Sequence, residues 1–503
     1  MSSKKLFLLI GIILLSLSCL IYLQQNINRI REKNFIGTKT IPNDVPPVVA
    51  FTTVALGGFR GIAADILWLK TISLQEEGKY FEMVQLASWI LKLQPKSTGA
   101  VSFLAWNMAY NISVIYTDPE KKWQWVENGI NLLRDAIQYN PGNASLCKEL
   151  AWIYINKIGD RYDSSNLYYK TQLALDMGKV IGDDSEKDQN FWNLMAQIPS
   201  DYKKFVKKEL SGKSISEILG NSEYKNIDDL YVIFRKNGRF PQQIEPKLAD
   251  LKLLHSFTLY LKKRMLREEF GLDPEKIIEI NKKFGVLDWR LYSSLAIYWS
   301  YVGISISKDS GECRTALNMA LAAAVLNGKL LLVDNVEYND FTTCPNFNAF
   351  LIINNYFIDK ISGANRDDYA NFYFTFANKI IPALYLYGKY EDAKVMFDNL
   401  KNAYPVEMGN VVTFEAFLYS YWNNYFKMND KEQVLNDILQ YIKISYLLNR
   451  KGMSDLAESL KNTNQYIYDR YSEYYFNNKL PEFQSFCDDK ISALQKILRK
   501  NYE

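Results

Sequence analysis

The sequence predicts an all-α protein whose helices pair into hairpins that stack as a solenoid, behind an N-terminal transmembrane helix. Three observations support this prediction. Apolar residues recur at helical spacing over most of the chain, one pattern of turn residues occurs twice, and an uncharged apolar run lies near the N-terminus. With 503 residues, 48% of them hydrophobic, the chain is long enough for several domains or a repeat array.

The first predicted element is a membrane anchor within residues 1–33. The run Leu6–Leu23 carries no charged side chain and follows two lysines. Its eighteen residues would span about 27 Å as a helix, close to the thickness of the bilayer core. The run does not stop early at small residues, as cleaved signals usually do, which favours an uncleaved anchor.

Positive charges flank the run on both sides, so the orientation rests on the common behaviour of short N-terminal anchors. We therefore expect a single pass through the cytoplasmic membrane with the body outside the cytoplasm. Cys19 leaves a lipoprotein as an alternative. Lipoprotein signals usually place Leu three residues before the cysteine, and this chain has Ser16 there.

Residues 34–54 are predicted to form a linker, because this stretch is rich in proline and has no helical period. Beyond it, one pattern predicts helical hairpins. Gly78–Pro95 reads GKYFEMVQLASWILKLQP, and Gly388–Pro405 reads GKYEDAKVMFDNLKNAYP. The glycine permits a tight turn between two helices, and the proline ends the second helix.

The spacing of Gly, Tyr, Ala, Phe and Pro in the later copy resembles the second half of a tetratricopeptide repeat. In the earlier copy Met83 stands where the later copy has the small residue Ala393. A second echo supports repetition: Leu104–Ile112 reads LAWNMAYNI, and Leu150–Ile158, 46 residues later, reads LAWIYINKI. This period fits a 34-residue repeat with an insertion of about twelve residues.

These patterns define three predicted regions after the linker. Residues 55–182 contain tetratricopeptide-like repeats, with three hairpins over roughly 60–180. Residues 183–365 form an irregular helical region, in which Asp273-Pro274 begins one helix and Gly285 ends it. Residues 366–503 form a C-terminal tetratricopeptide-like helical region.

Several segments, among them LGGFRGIAADILWLK and FGVLDWRLYSSLAIYWS, resemble uncharacterised, membrane-anchored bacterial repeat proteins. That resemblance covers much of the chain and implies no catalytic residues.

The candidate partner-binding residues are aromatic and charged side chains near the repeats. Trp106 and Trp152 take the same position in the first helix of two repeats, with Trp68 at a nearby position. First helices line the concave face of such solenoids, so these side chains fit a groove for a protein or peptide partner. Packing between helices is the alternative. Arg60, in a glycine-rich stretch, could assist anion binding or pair with Asp65.

Composition and motifs exclude several other functions. A net charge of +4 gives no strong field for nucleic acid. The sequence contains no P-loop, dinucleotide-binding, zinc-protease, serine-hydrolase or EF-hand motif, so we expect no catalytic residue, metal or cofactor. The single histidine, His255, lies in an apolar run and is expected to be packed. The adjacent carboxylates Glu76-Glu77, Asp183-Asp184 and Asp488-Asp489 are expected on the surface.

Three smaller expectations concern single residues. Asp288 is expected to cap the helix that follows it, and Cys147 is expected to be a buried thiol. Pairing of Cys313 with Cys344 stays open, because spacing alone does not give the distance between them.

The functional prediction is a protein–protein interaction scaffold anchored in the bacterial cell envelope. The first alternative is an envelope enzyme that processes or transfers glycans on a helical scaffold. The second is a structural subunit of a transport or secretion assembly.

Overall fold

The computed structural model describes residues 16, 18, 19, 21–23, 25, 26, 60–93, 97–160, 163–182, 189–220, 223–308, 310–332, 341–362, 366–409, 413–477 and 479–500. Most of these residues are helical, so the all-α prediction is confirmed. Within these ranges no helix is both long and apolar enough to cross a membrane. The predicted anchor Leu6–Leu23 lies largely outside them and the linker 34–54 wholly outside, so both stay predictions.

The chain divides into two compact units, residues 1–149 and residues 150–503. The predicted domain boundaries come from repeat spacing and stay predictions. From Arg60 onward, the described helical segments that begin in the first unit are α1 (Arg60–Glu76), α2 (Tyr80–Leu93), α3 (Thr98–Trp106), the first π segment (Asn107–Ile112), a 3-10 turn (Ser113–Ile115), α4 (Pro119–Tyr139) and α5 (Ala144–Trp152). The division between the units falls inside α5.

The second unit is also built from helices. Its first half contains the second π segment (Ile153–Gly159), α6 (Asn166–Ile181), α7 (Gln189–Gln197), α8 (Tyr202–Glu209), α9 (Ile215–Leu219), α10 (Ile227–Asn237), α11 (Glu245–Asp250), α12 (Leu254–Phe270), α13 (Pro274–Phe284), α14 (Tyr292–Ile306) and α15 (Gly311–Leu326). After the strands β1 (Lys329–Leu332) and β2 (Thr342–Cys344) come α16 (Phe347–Ser362), α17 (Arg366–Leu386), α18 (Tyr390–Ala403), α19 (Pro405–Met408), α20 (Phe414–Met428), α21 (Lys431–Arg450), α22 (Ser454–Phe476) and α23 (Phe483–Lys500).

The predicted turns of the two hairpins are confirmed. Gly78 links α1 to α2 at φ 71°, and Gly388 links α17 to α18 at φ 73°. Both angles lie in the left-handed region that favours glycine. At Gly388 space is limiting as well, because an added Cβ would collide with the side chain of Ser459. α18 ends at Ala403, two residues before Pro405, as the position of this proline predicts.

The hairpins bury the small and apolar residues of their second helices. Met83, Ala87 and Ile90 of α2 are buried, as are Ala393 and Phe397 of α18. α1 packs against α2, and α17 packs against α18. Since Ala393 is fully buried between helices, a larger side chain would have no space there.

The predicted ends of α13 are also confirmed. The Asp273 side chain accepts a hydrogen bond from the Glu275 backbone N–H at 3.2 Å, so it caps the helix N-terminus. Pro274 takes the first helical position, and Gly285 follows the last at φ 90°. Sequence signals therefore located this helix correctly even inside the irregular region.

Two predictions about single residues are wrong. Asp288 does not cap α14, which begins at Tyr292, because the chain makes another turn between the two positions. Asp288 is instead buried and ion-paired with Arg290. His255 is exposed, because it lies in the first turn of α12, ahead of the buried side chains that begin at Phe257.

The structure adds a small antiparallel ribbon that the sequence analysis did not predict. β1 pairs with β2 in the register Lys329↔Cys344 and Leu330↔Thr343. Cys313 and Cys344, both among the described residues, are not joined by a disulfide, and Cys147 is buried as expected. Glu76, Glu77, Asp488 and Asp489 are exposed as expected, whereas residues 183 and 184 lie outside the described ranges.

Candidate partner-binding surface

The two similar segments that lie 46 residues apart, Leu104–Ile112 and Leu150–Ile158, adopt the same secondary structure. α3 begins at Thr98 and ends at Trp106, and α5 begins and ends 46 residues later, at Ala144 and Trp152. Each helix then continues directly into a π segment. The echo in the sequence is therefore an echo in backbone conformation.

The buried faces of the two copies also match position by position. The buried residues of the first copy are Ala100, Val101, Leu104, Ala105, Asn107, Met108, Ala109 and Ile112. The residues 46 positions later are all buried as well: Leu146, Cys147, Leu150, Ala151, Ile153, Tyr154, Ile155 and Ile158. The shared set of buried positions indicates that both copies pack the same helix face.

A π-helix closes its hydrogen bonds over five residues rather than four. At the end of the first π segment, the Ser113 backbone N–H donates to the Met108 carbonyl, five residues back. Segments of this kind occur frequently at functional sites. Trp106 and Trp152 each lie immediately before a π segment. The junction between α-helix and π segment is therefore a candidate functional site.

Trp106 lies at the junction with 46% of its surface exposed. Its ring stacks on Tyr110 with 5.7 Å between ring centroids and 29° between ring planes. Val114 and Ile115, after the π segment, are exposed at 56% and 53%. We call Trp106, Tyr110, Val114 and Ile115 the Trp106 surface.

Tyr110 contributes an uncharged aromatic ring to the Trp106 surface. Burial, and then the charge of Glu149, raise the pKa of the Tyr110 hydroxyl well above its usual range. The side chain that stacks on Trp106 is therefore uncharged. Side chains of this type are enriched where proteins meet partners.

Trp152 lies at the matched position in the second copy but is half-buried. The position of Tyr110 is taken there by Asn156, and that of Val114 by Asp160. The aromatic and apolar character of the Trp106 surface is therefore not repeated. The structure places Trp106 and Trp152 in different units.

The second π segment has a polar feature of its own. Lys157 is buried, and its Nζ lies 2.5 Å from Oδ2 of Asp163. The Tyr169 hydroxyl donates to the same oxygen at 3.2 Å, and burial with the Asp163 charge raises the pKa of Tyr169. Asp163 also accepts from the Ser165 backbone N–H at 2.9 Å. The carboxylate thus fastens the π segment to the start of α6, which is a structural role.

The remaining predicted site residues are not brought together with Trp106. Trp68 is half-buried, and its ring meets Phe103 edge-on at 4.8 Å, beside the core residues Ala64 and Ile90. This is packing between helices. Asp65 is exposed, whereas the Arg60 side chain lies outside the described part of the structure.

Other exposed aromatic side chains were missed by the sequence analysis. Phe81 on α2 is 57% exposed and meets Trp125 edge-on at 5.6 Å. The sequence shows only that Phe81 is hydrophobic. Helical spacing does not distinguish an exposed phenylalanine from a buried one. Among the described side chains, no group of three or more His, Cys, Asp or Glu is placed to hold a metal ion.

Comparison with known proteins gives no match, either to a protein-family model or to a curated protein sequence.

Proposed function

We propose that this chain is a membrane-anchored, tetratricopeptide-like interaction protein of the bacterial cell envelope, and that the Trp106 surface contacts its partner. The observation that carries the proposal is the exposure of Trp106, stacked on Tyr110, where α3 becomes π-helical. In stacked helical hairpins, first helices line the concave face, and α3 is the first helix of its hairpin.

The chemistry of the Trp106 surface favours a protein or peptide partner. An exposed tryptophan offers a large apolar area at small entropic cost, and such residues dominate binding energy at interfaces. Val114 and Ile115, in the 3-10 turn that follows the π segment, are exposed apolar side chains as well. A partner segment with one or two apolar side chains would bury this area.

A crosslinking experiment tests the proposal. A photo-crosslinking amino acid at Ile115 of the full-length chain should capture a partner in native membranes. Adding Trp106→Ala should reduce capture about thirtyfold, because a hot-spot tryptophan contributes roughly 2 kcal/mol or more. Tyr139→Ala is the matched control, since Tyr139 is 72% exposed in the same unit but lies at the end of α4.

The melting temperature of each variant separates binding from folding. Loss of capture with an unchanged melting temperature supports the proposal. Equal capture by Trp106→Ala and the unchanged chain would remove the Trp106 surface from the proposal.

The membrane anchor rests on Leu6–Leu23. The described residues Ile21, Tyr22 and Leu23 are at least half exposed, so their apolar surface is accessible to lipid. Deleting residues 1–33 should move the protein from the membrane fraction to the soluble fraction. A full-length chain that already fractionates as soluble would contradict the anchor, and a mature protein that begins at a lipidated Cys19 would establish the lipoprotein alternative.

A further inference from the structure

A surface cavity with a volume of about 430 Å³ lies in the second unit. The turn between α7 and α8, the start of α10 and one face of α12 form its walls. Ligand sites of small molecules commonly have volumes of about 300–1,000 Å³. The cavity is therefore large enough for a small molecule.

The charged side chains that line the cavity balance one another. The cations Lys263, Arg264 and Arg267 face the carboxylates Asp201, Asp228 and Glu268. A lining with equal numbers of both charges has no surplus that would select an anion or a cation.

The cations also have protein partners already. Arg264 donates to Asp228 at 2.6 Å and to Glu268 at 2.9 Å. Arg267 donates to the Ser200 hydroxyl at 2.7 Å and to Asp273 at 2.7 Å. An anionic ligand would have to break these ion pairs before it gained any of its own.

The Lys263 ammonium is likewise held in place. It donates to the Ala196 carbonyl at 2.9 Å and to the Ile198 carbonyl at 2.8 Å. Burial lowers the pKa of Lys263, and Glu275 partly opposes that effect. These two bonds connect α12 to the end of α7.

Two tyrosine hydroxyls on the cavity wall differ from these charged groups. Tyr260 is 4% exposed, and its ring stacks on Phe205 at 4.2 Å. Tyr202 is half-buried beside it, with 6.2 Å between the ring centroids. Neither hydroxyl makes a hydrogen bond to any other residue in the part of the chain that the structure describes.

A tyrosine hydroxyl without a protein partner can both donate and accept a hydrogen bond with a ligand or with water in the cavity. Burial raises the pKa of both phenols, so each stays neutral and can donate or accept a hydrogen bond. Asp228 and Glu268 keep further lone pairs that can accept from a ligand.

We propose that this cavity binds a neutral, hydroxyl-rich small molecule, namely a mono- or disaccharide. Sugar hydroxyls can accept from Tyr202 and Tyr260 and donate to Asp228 and Glu268 without breaking an ion pair. The balanced charge of the wall matches a ligand without net charge. The site lies apart in sequence from the Trp106 surface, so either proposal can fail without the other.

The test titrates the full-length protein, kept in a detergent without a sugar headgroup, with saccharides. The probes are glucose, maltose, N-acetylglucosamine and its β-1,4-linked disaccharide, and the readout is saturation-transfer NMR of each sugar. Inorganic phosphate and citrate serve as anionic probes. We expect at least one saccharide to bind at millimolar concentration, and neither anion to compete with it.

Tyr260→Phe and Tyr202→Phe remove only the hydroxyls and keep the rings. Each should weaken saccharide binding by up to about tenfold, the effect of one lost hydrogen bond. Tyr419→Phe is the control, because Tyr419 is 64% exposed and does not line the cavity. Three results would each overturn the proposal: no saccharide binding at tens of millimolar, displacement of the sugar by phosphate or citrate, or unchanged affinity in the Tyr202/Tyr260 double variant.

Discussion

Asp288 holds the Arg290 guanidinium in a two-pronged ion pair that is almost completely buried. Arg290 Nε lies 2.9 Å from Oδ1 of Asp288, and Arg290 Nη2 lies 2.9 Å from Oδ2. The backbone N–H of Leu330 donates to the same Oδ2 at 3.0 Å. One carboxylate therefore connects the turn before α14 to strand β1.

We expect Asp288→Asn to lower the free energy of unfolding by about 3–5 kcal/mol, because it leaves the buried Arg290 charge without its counter-ion. Chemical denaturation monitored by circular dichroism measures this change. Asp489→Asn, at an exposed position of α23, should leave the free energy of unfolding nearly unchanged. A loss below about 1 kcal/mol for Asp288→Asn would contradict the role of this pair.

Trp106→Ala should cost little stability, because the side chain is 46% exposed. Trp289→Ala should cost about 3–5 kcal/mol, since Trp289 is 2% exposed and its indole N–H donates to Asn281 at 3.1 Å. Melting curves of the two variants measure the difference. Similar large losses for both would mean that Trp106 is part of the core rather than of a binding surface.

Ala393→Leu should lower stability by about 1–3 kcal/mol, because it overpacks the α17–α18 hairpin. Val395→Leu on the same helix is the control, since Val395 is 58% exposed. Thermal unfolding of both variants checks the prediction. A neutral Ala393→Leu would show that α17 and α18 can separate at little cost.

The reactivity of Cys487 should depend on folding and on pH. Burial raises the pKa of its thiol to about 11, partly opposed by Lys461. A cysteine in an unfolded chain has a pKa of about 8.5. The stability that this thiol contributes is therefore fully present below about pH 8.5 and is lost as the pH rises towards 11.

Alkylation by iodoacetamide, read at the Cys487 peptide by mass spectrometry, measures that reactivity. At pH 8 the native chain should react far more slowly at Cys487 than the same chain in denaturant. Equal rates in the two conditions would show that the thiol is accessible in the native protein.

Turn and capping residues in the sequence predicted helix ends correctly where those ends depend on neighbouring residues. The glycine turns at Gly78 and Gly388 and the ends of α13 all depend on residues within a few positions of each other. The hydrogen bond from Leu330 to Asp288 could not be predicted in this way, because the two residues are far apart in the sequence. The strands β1 and β2 are too short for an alternating pattern to be recognised.

The candidate surface was predicted only in part. The sequence placed Trp106 and Trp152 at one repeat position, and the matched helix ends agree with that placement. Their different exposure depends on the neighbours of each copy, such as Tyr110 in one and Asn156 in the other. The π segments could not be predicted, since the same residues are compatible with ordinary α-helix.

Each π segment also shifts the angular phase of its helix. An α-helix turns by about 100° per residue, so one extra residue in a turn rotates everything beyond it by that angle. The residues after Ile112 therefore face a different direction, relative to those before Trp106, than they would in an uninterrupted α-helix of the same sequence. Loss of a single codon within the segment would remove the extra residue together with the π turn, so Val114 and Ile115 would keep their present side on an ordinary α-helix.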